Sequence, residues 1–392
     1  MAEVVIQGAN IQGPIIQGPI IQGWCPGALR PMASGDGLVV RVRAHGGRLA
    51  QAQARGIADL ARLHGNGLID LSNRANLQLR GVTEASYPAL IAGLRQLGLI
   101  DDSAEAEARR NIIVTPFWHS ADLTQQLAAE LTAALAAADA PALPAKFGFV
   151  LDTAARPVLR DVSADIWIET GPEGLLLAVQ GGAKAVSAKD AVAQALALAR
   201  WFLDAGGVTG GRGRMAQLLA RIGLPAGFEA PRLQPLRATL GAQAQGQLLG
   251  FDFGQMQAQT LAALADLGAL RLTPWRMLLI EGLAQAPDLE GVITRAEDPM
   301  LRVVACSGAP ACPQALGDTR GLARALAPHV TGLLHVSGCA KGCAHPGPAR
   351  TLTATPVGFD LICDGPASGI PDRIALSASE LICDPSLISK AP

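Results

Sequence analysis

The feature that most constrains this 392-residue chain is an internal repeat. An ungapped offset of 201 residues aligns 57–82 with 258–283. It pairs Leu60 with Leu261, Gly67 with Gly268, Leu71 with Leu272, Leu77 with Leu278 and Gly81 with Gly282. Matched leucines are common in a leucine-rich chain, so the glycines and the shared strand pattern carry the alignment. In the first copy, residues 37–43 alternate and β-branch as a strand does. Leu49, Ile57, Leu60 and Leu63 follow at helical spacing, and 68–82 reads as a hairpin around Ser72-Asn73-Arg74. Gly254 is expected to stand after its strand as Gly46 stands after the first.

Each copy leads into a larger α/β segment, opening on a strand at 111–115 and again at 302–306. Leu123, Leu127, Leu131 and Leu135 form an i, i+4 stripe, with Ser120 the expected N-cap. Ser187 and Asp190 have capping-box spacing ahead of a helix expected over 191–203. The chain thus reads as two copies of a small unit plus a larger α/β unit, divided in the Gly/Pro/Arg-rich stretch 205–240.

Composition removes several classes. Lys+Arg total 32 and Asp+Glu 33, so there is no basic surplus for nucleic acid. With 49% hydrophobic residues the chain is globular, and with 4% aromatics its cores must be aliphatic. No apolar run reaches the roughly 18 residues of a membrane span. Residues 6–23 repeat Ile-Gln-Gly around Pro14 and Pro19, which reads as a flexible extension and not a signal peptide. The expectation is a cytoplasmic protein without membrane or nucleic-acid partners.

Of seven cysteines, four make a pattern: Cys306 and Cys312 with five residues between them, Cys339 and Cys343 with three. Two close pairs can converge on one soft metal centre. Structural zinc prefers two residues between paired cysteines, and neither gap fits. Unequal loops rich in Gly and Ala suit a polynuclear cluster, whose irons take thiolates from different directions and whose sulfurs accept backbone N–H bonds. Cys25, Cys363 and Cys383 lack such spacing, and the last two are expected in buried strand ends.

C-x5-C followed by Ser-Gly-Cys-x3-Cys resembles the cluster signature of the sirohaem nitrite and sulfite reductase family. The resemblance covers nearly all the chain after residue 24. It implies an α+β/α/β fold of two pseudo-symmetric repeats, each a ferredoxin-like half-domain followed by an α/β domain. The implied boundaries are 1–24 for the extension, 25–100 and 236–292 for the half-domains, and 101–235 and 293–392 for the α/β domains. The last of these would bind a [4Fe–4S] cluster through Cys306, Cys312, Cys339 and Cys343, with Cys343 similar to the cysteine that bridges cluster and sirohaem.

The same resemblance assigns Arg74 and Arg80 to the arginine-bearing hairpin, Arg110 to a second arginine site and Lys146 to the lysine strand. Those cations would hold tetrapyrrole carboxylates, for which an Arg fork is well matched. Read without the family, Arg74 and Arg80 are solvated hairpin charges and Lys146 snorkels from a strand. The family's second lysine is replaced by Gly148, and the loop Cys339-Ala-Lys-Gly-Cys343-Ala-His345-Pro346 lacks the reductases' Pro-Asn. That version resembles the short branch of the family that hydroxylates precorrin-3A at C20 in aerobic cobalamin biosynthesis. There O2 supplies oxygen, a γ-lactone closes from the ring A acetate, and NADH supplies electrons.

The branch also implies a mononuclear non-haem iron. No two-His, one-carboxylate spacing is legible for it, and His345 is the nearest candidate. Lys341, inside the last cysteine pair, reads equally as an offset to cluster charge and as a solvated loop residue. The Gly-rich stretch 206–213 lacks a dinucleotide or P-loop fingerprint, so electrons are expected from a separate reductase or ferredoxin-type carrier. The alternatives are a sirohaem-dependent nitrite or sulfite reductase and a non-enzymatic iron–sulfur carrier.

Cys343→Ser is expected to abolish the visible cluster absorption of anaerobically purified protein. A cluster that survives the substitution contradicts the ligand set.

Overall fold

The structure, a computed structural model, describes residues 26–120 and 122–388. The Ile-Gln-Gly repeats and Cys25 lie outside the described residues. The first small unit contains β1 (Met32–Ser34), β2 (Gly37–Val42), β3 (Arg48–Leu49), α1 (Gln51–His64), β4 (Leu68–Leu71), β5 (Leu77–Val82) and α2 (Tyr87–Gln96). Its α/β partner contains α3 (Ala104–Arg109), β6 (Ile112–Val114), α4 (Thr124–Ala136) and β7 (Phe149–Asp152). It continues through β8 (Ile166–Gly171), β9 (Gly174–Val179), β10 (Gly182–Ala185), α5 (Ala191–Asp204) and α6 (Met215–Ile222).

The second small unit has β11 (Gly241–Gln243), β12 (Gly246–Gly250), β13 (Gln255–Gln257), α7 (Ala258–Leu267), β14 (Leu270–Leu272) and β15 (Met277–Glu281). After it come β16 (Val303–Ala305), α8 (Thr319–Leu326), β17 (Leu334–Ser337), β18 (Ala349–Thr355), β19 (Gly358–Gly365), β20 (Arg373–Leu376) and α9 (Ala378–Cys383).

The repeat is legible atom by atom. In the first hairpin Ser72 Oγ accepts from the amides of Arg74 and Asn76, at 3.4 and 3.2 Å. In the second, Thr273 Oγ1 accepts from Trp275 and Met277, both at 3.3 Å, which is the same turn 201 residues on. Ala75 and Arg276 both take the left-handed conformation this turn requires, at φ 53° and 62°. Both α/β sheets have one topology: β6-β7-β8-β9-β10 and β16-β17-β18-β19-β20, three parallel strands and then two antiparallel ones.

The two small units are not independent. β4 carries on its open edge β13 from the other copy, with Ile69 opposite Met256, giving the order β1-β2-β5-β4-β13. Reciprocally β14 carries β3, with Leu270 opposite Leu49. Each exchanged strand is preceded by a left-handed residue, Gly46 at φ 59° and Phe253 at φ 55°. The counterpart of Gly46 is therefore Phe253 and not Gly254, one residue from the expected match. The exchanged strands lead directly into α1 and α7, which pack on each other. Leu49, Leu79, Leu249 and Leu278 are all fully buried in one continuous core.

Several local expectations change. Leu63 is 67% exposed, so the α1 stripe is Ala54, Ile57, Ala58 and Ala61. Leu127, Leu131 and Leu135 are buried, but Leu123 precedes α4 and is exposed. Asp122, not Ser120, closes that turn by accepting from the His119 and Thr124 amides. Ser187 and Asp190 do bond reciprocally just before α5. Cys363 is half-buried in β19, whereas Cys383 ends a helix and is exposed, so it does not sit in a buried strand end.

Leu49 tests the exchange. Truncating a buried leucine costs about 2–5 kcal/mol. Leu49→Ala should therefore lower the denaturant midpoint of both half-domains together in a single transition. Separate transitions for the two units, followed by probes in each, would contradict a shared core.

Candidate functional site

The cysteines sit where two parallel strands end. Cys306 follows β16 directly, and Cys339 and Cys343 lie in the loop after β17. The loops are tied to each other: the Leu316 amide donates to Gly338 O at 2.8 Å, and the Gly338 amide donates to Cys306 Sγ at 3.2 Å. Thr319 Oγ1 donates to Cys306 O at 2.7 Å, and Ser337 Oγ to Cys339 O at 2.7 Å. Partial burial pushes the Cys343 thiol up, and the neighbouring Cys306, Cys339 and Cys312 push it the same way while Lys341 opposes them. The other three cysteines are thus close enough to Cys343 for their charge to act on it.

Among the described residues no group of three or more His, Cys, Asp or Glu closes on a single-ion site. A polynuclear cluster takes its thiolates at separate irons, so cysteines need not converge on one point to hold it. A backbone N–H aimed at Cys306 Sγ and three further cysteines within electrostatic reach of one another through Cys343 fit such a group, whose iron would offset thiolate charge. For a mononuclear iron the described residues offer no three-ligand set, and His345 has its Nε2 against Pro348 O at 3.3 Å.

The predicted cations fall into three places. Arg74 Nη2 donates to Lys146 O at 3.2 Å, so this pair is brought together. Lys146 is exposed in a turn ahead of β7, rather than in a strand. Arg80 is buried, paired with Asp36 at 2.6 Å and Asp70 at 3.6 Å. It also approaches Ala311 O, which accepts from Ser34 Oγ and the Gly35 amide, so the first half-domain clamps the Cys306–Cys312 loop. Arg110 is buried elsewhere, donating twice to Asp101 and once to Arg43 O. A Cβ on Gly148 would lie 2.8 Å from Asn111 Nδ2, so a side chain there requires Asn111 to give up its bond to Phe147 O.

Sequence reasoning passed over three residues at this junction. Arg276 projects from the second hairpin; burial pushes its guanidinium below the usual arginine range, and Arg320 repels it. Arg320, in the first turn of α8, is lowered by burial, held up by Asp70 at 3.8 Å, and lowered by Arg80. His335, on β17, is fully buried, with neither ring nitrogen hydrogen-bonded. Burial, then His345 and Arg276, push it down to about 4. The repeat held a signal for Arg276, which stands at the position of Ala75. His335 had only its place four residues ahead of Cys339.

Residues 30–97 match the family described as the nitrite/sulfite reductase ferredoxin-like half domain. The chain is 32% identical to a precorrin-3B synthase from a Sinorhizobium species, across 88% of this chain and 84% of the relative. It is 25% identical to a ferredoxin–nitrite reductase of Synechococcus elongatus, across 81% and 76%. Among solved structures, the NirA protein of Mycobacterium tuberculosis superposes with a TM-score of 0.59 at 19% identity, covering 88% of this chain and 79% of that one. That likeness shows the fold.

The first-copy counterpart of Ser337 is Asp152, since Leu151 pairs with Val114 as Val336 pairs with Ala305. Asp152 is fully buried; Oδ2 accepts from the Val158 and Leu159 amides, and Oδ1 has no partner. Burial pushes its carboxyl up to about 6 against those two donors. The folded chain then holds a proton that the unfolded chain, with a pKa of about 3.9, has already released. Stability therefore falls as pH rises between roughly 4 and 6 and levels above, by up to ~3 kcal/mol. Asp152→Asn should remove that slope, so the wild-type minus variant unfolding free energy should decline across the window. A difference that stays flat with pH would contradict the shift.

Proposed function

The chain belongs to the precorrin-3B synthase family, and from that premise we propose that it hydroxylates precorrin-3A at C20, using O2, with γ-lactone formation from the ring A acetate. The observation that carries the reading is the 32% identity to precorrin-3B synthase across 88% of the chain, against 25% to the nitrite reductase. Gly148 supports it, because it stands where the anion reductases carry their second lysine. A cleft that grips a polycarboxylate macrocycle as cofactor in one branch grips a related macrocycle as substrate in this one.

Cys306, Cys312, Cys339 and Cys343 would hold the [4Fe–4S] cluster, which supplies single electrons when bound. Arg74, with Lys146 beside it, binds and orients substrate carboxylates, since guanidinium forks match them two bonds at a time. Arg276 and Arg320 share the single carboxylate of Asp70 with Arg80, and we assign them the same task. Arg80 fixes the cysteine loop against the half-domain, and Arg110 fixes the residues before β6. No step is assigned to a mononuclear iron, for which the described residues do not form a site. The stretch 206–213 runs from helix α5 to helix α6, not from strand to helix, so we assign it no dinucleotide. Reducing equivalents from NADH would arrive through a separate reductase or a ferredoxin-type carrier.

Anaerobically purified protein should show a broad cluster shoulder without sirohaem bands. Aerobically, with an electron-donating reductase and NADH, it should convert precorrin-3A to a product one oxygen heavier. Arg74→Ala should raise KM about tenfold, the loss of roughly one good charged contact. Strong sirohaem bands with viologen-driven nitrite or sulfite reduction would overturn the reading in favour of the reductase.

A further inference from the structure

In the first α/β sheet, β7 alternates. Phe149 and Leu151 enter the core under α4 and α5, while Val150 enters the core shared with the half-domains. On β8 the neighbour of Val150 is Trp167, also in that shared core. The second sheet keeps the register and changes the chemistry. Leu334 and Val336 enter the core under α8, but the position of Val150 is His335 and that of Trp167 is Thr351. Thr351 Oγ1 donates to Gly365 O at 2.9 Å, and Thr353 Oγ1 to Ala367 O at 3.0 Å. Ser337 Oγ donates to Cys339 O. His335 alone on this face is left with two bare ring nitrogens and no solvent exposure.

An unsatisfied buried polar group costs about 1–3 kcal/mol, and no described residue supplies the partner. Neither of the two nearest polar side chains bonds to the ring. His345 stands edge-on at 5.9 Å between ring centroids with its Nε2 against Pro348 O. Arg276 lies near as a charge but makes no hydrogen bond to the ring. The imidazole lies directly under the loop between the last two cysteines, because a Cβ on Gly342 would stand 3.7 Å from His335 Cε1. Gly342 is thus the residue of the cysteine loop that meets the ring, and it brings no side chain of its own there.

Resting on the cluster assignment above, we infer that the His335 N–H donates a hydrogen bond to a sulfur of that cluster and sets its reduction potential. Cluster and thiolate sulfurs are acceptors, and they gain negative charge on reduction. A donor held there stabilises the reduced form and raises the potential. The site thus carries two donors of different kinds: the Gly338 amide, present whatever the side chains, and His335, which replaces an apolar residue of the other copy.

The test uses the full chain, with iron and sulfide content measured first. In 15N-histidine-labelled protein, pulsed EPR of the reduced cluster should show a weak histidine nitrogen coupling that persists in His345→Ala. His335→Phe should lose the coupling and shift the potential downward, and His335→Gln, which retains an N–H, should recover part of the shift. A cluster-loaded His335→Phe at wild-type potential would overturn the inference. If His335→Phe does not take up the cluster, the labelled wild type decides, and no coupling there overturns it equally. Wild-type protein without iron or sulfide would instead overturn the cluster assignment on which this rests.

Discussion

Everything in this molecule is hung on the exchange of two short strands. β3 and β13 are three residues or fewer, yet each completes the other copy's sheet and brings a helix with it, so α1 and α7 meet over one core. A two- or three-residue strand has little stability by itself. Its worth is positional, since it places one copy's side chains against the other's charges. Gln255 Nε2 donates to Asp70 Oδ1 at 2.7 Å, and Arg48 makes a bidentate pair with Glu281 at 2.8 Å. Each donor is the first residue of its exchanged strand, but Gln255 meets Asp70 directly opposite it, whereas Arg48 lies opposite Arg271 and reaches past it to Glu281.

Once the halves are locked, differences between the copies become the site. Asp70 and Arg80 in the first hairpin correspond, 201 residues on, to Arg271 and Glu281, a pair with its charges reversed. Arg80 reaches across to the Cys306–Cys312 loop through Ala311 O. Arg271 reaches across to the equivalent loop of the first copy, donating to Pro116 O and Trp118 O and stacking 3.6 Å over the Trp118 ring. Each half-domain thus clamps the other repeat's loop. In the first copy that loop closes on Trp118 and a filled core, and in the second it carries cysteines beside Arg276, Arg320 and His335. Duplication supplied two equivalent sockets, and one was packed while the other was left polar.

The parts of the fold set by local pattern were readable in advance. The hairpin at 68–82, the helices after each small unit and the paired strands at 111–115 and 302–306 follow from periodicity and turn chemistry. The exchanged strands were not, because two residues carry no period. Residue type alone favours Ser120 as a cap, but Asp122 has the reach to accept two amides. Leu63 lay on the stripe yet faces solvent, since α1 buries a narrower, alanine-rich face against α7.

By itself the sequence determined that there are two copies, that four cysteines of seven belong together, and which hairpin and strand residues could carry cations. Spacing and repetition are properties of the chain and survive without coordinates. Only the tertiary structure decided which of those cations are already committed, because a carboxylate partner such as Asp36 or Asp101 becomes a neighbour only after folding. It also decided that a side chain at Gly148 would press on Asn111 and that His335 is sealed in without a partner among the described residues. Burial is a property of what lies opposite a residue, and for both positions what lies opposite comes from distant chain.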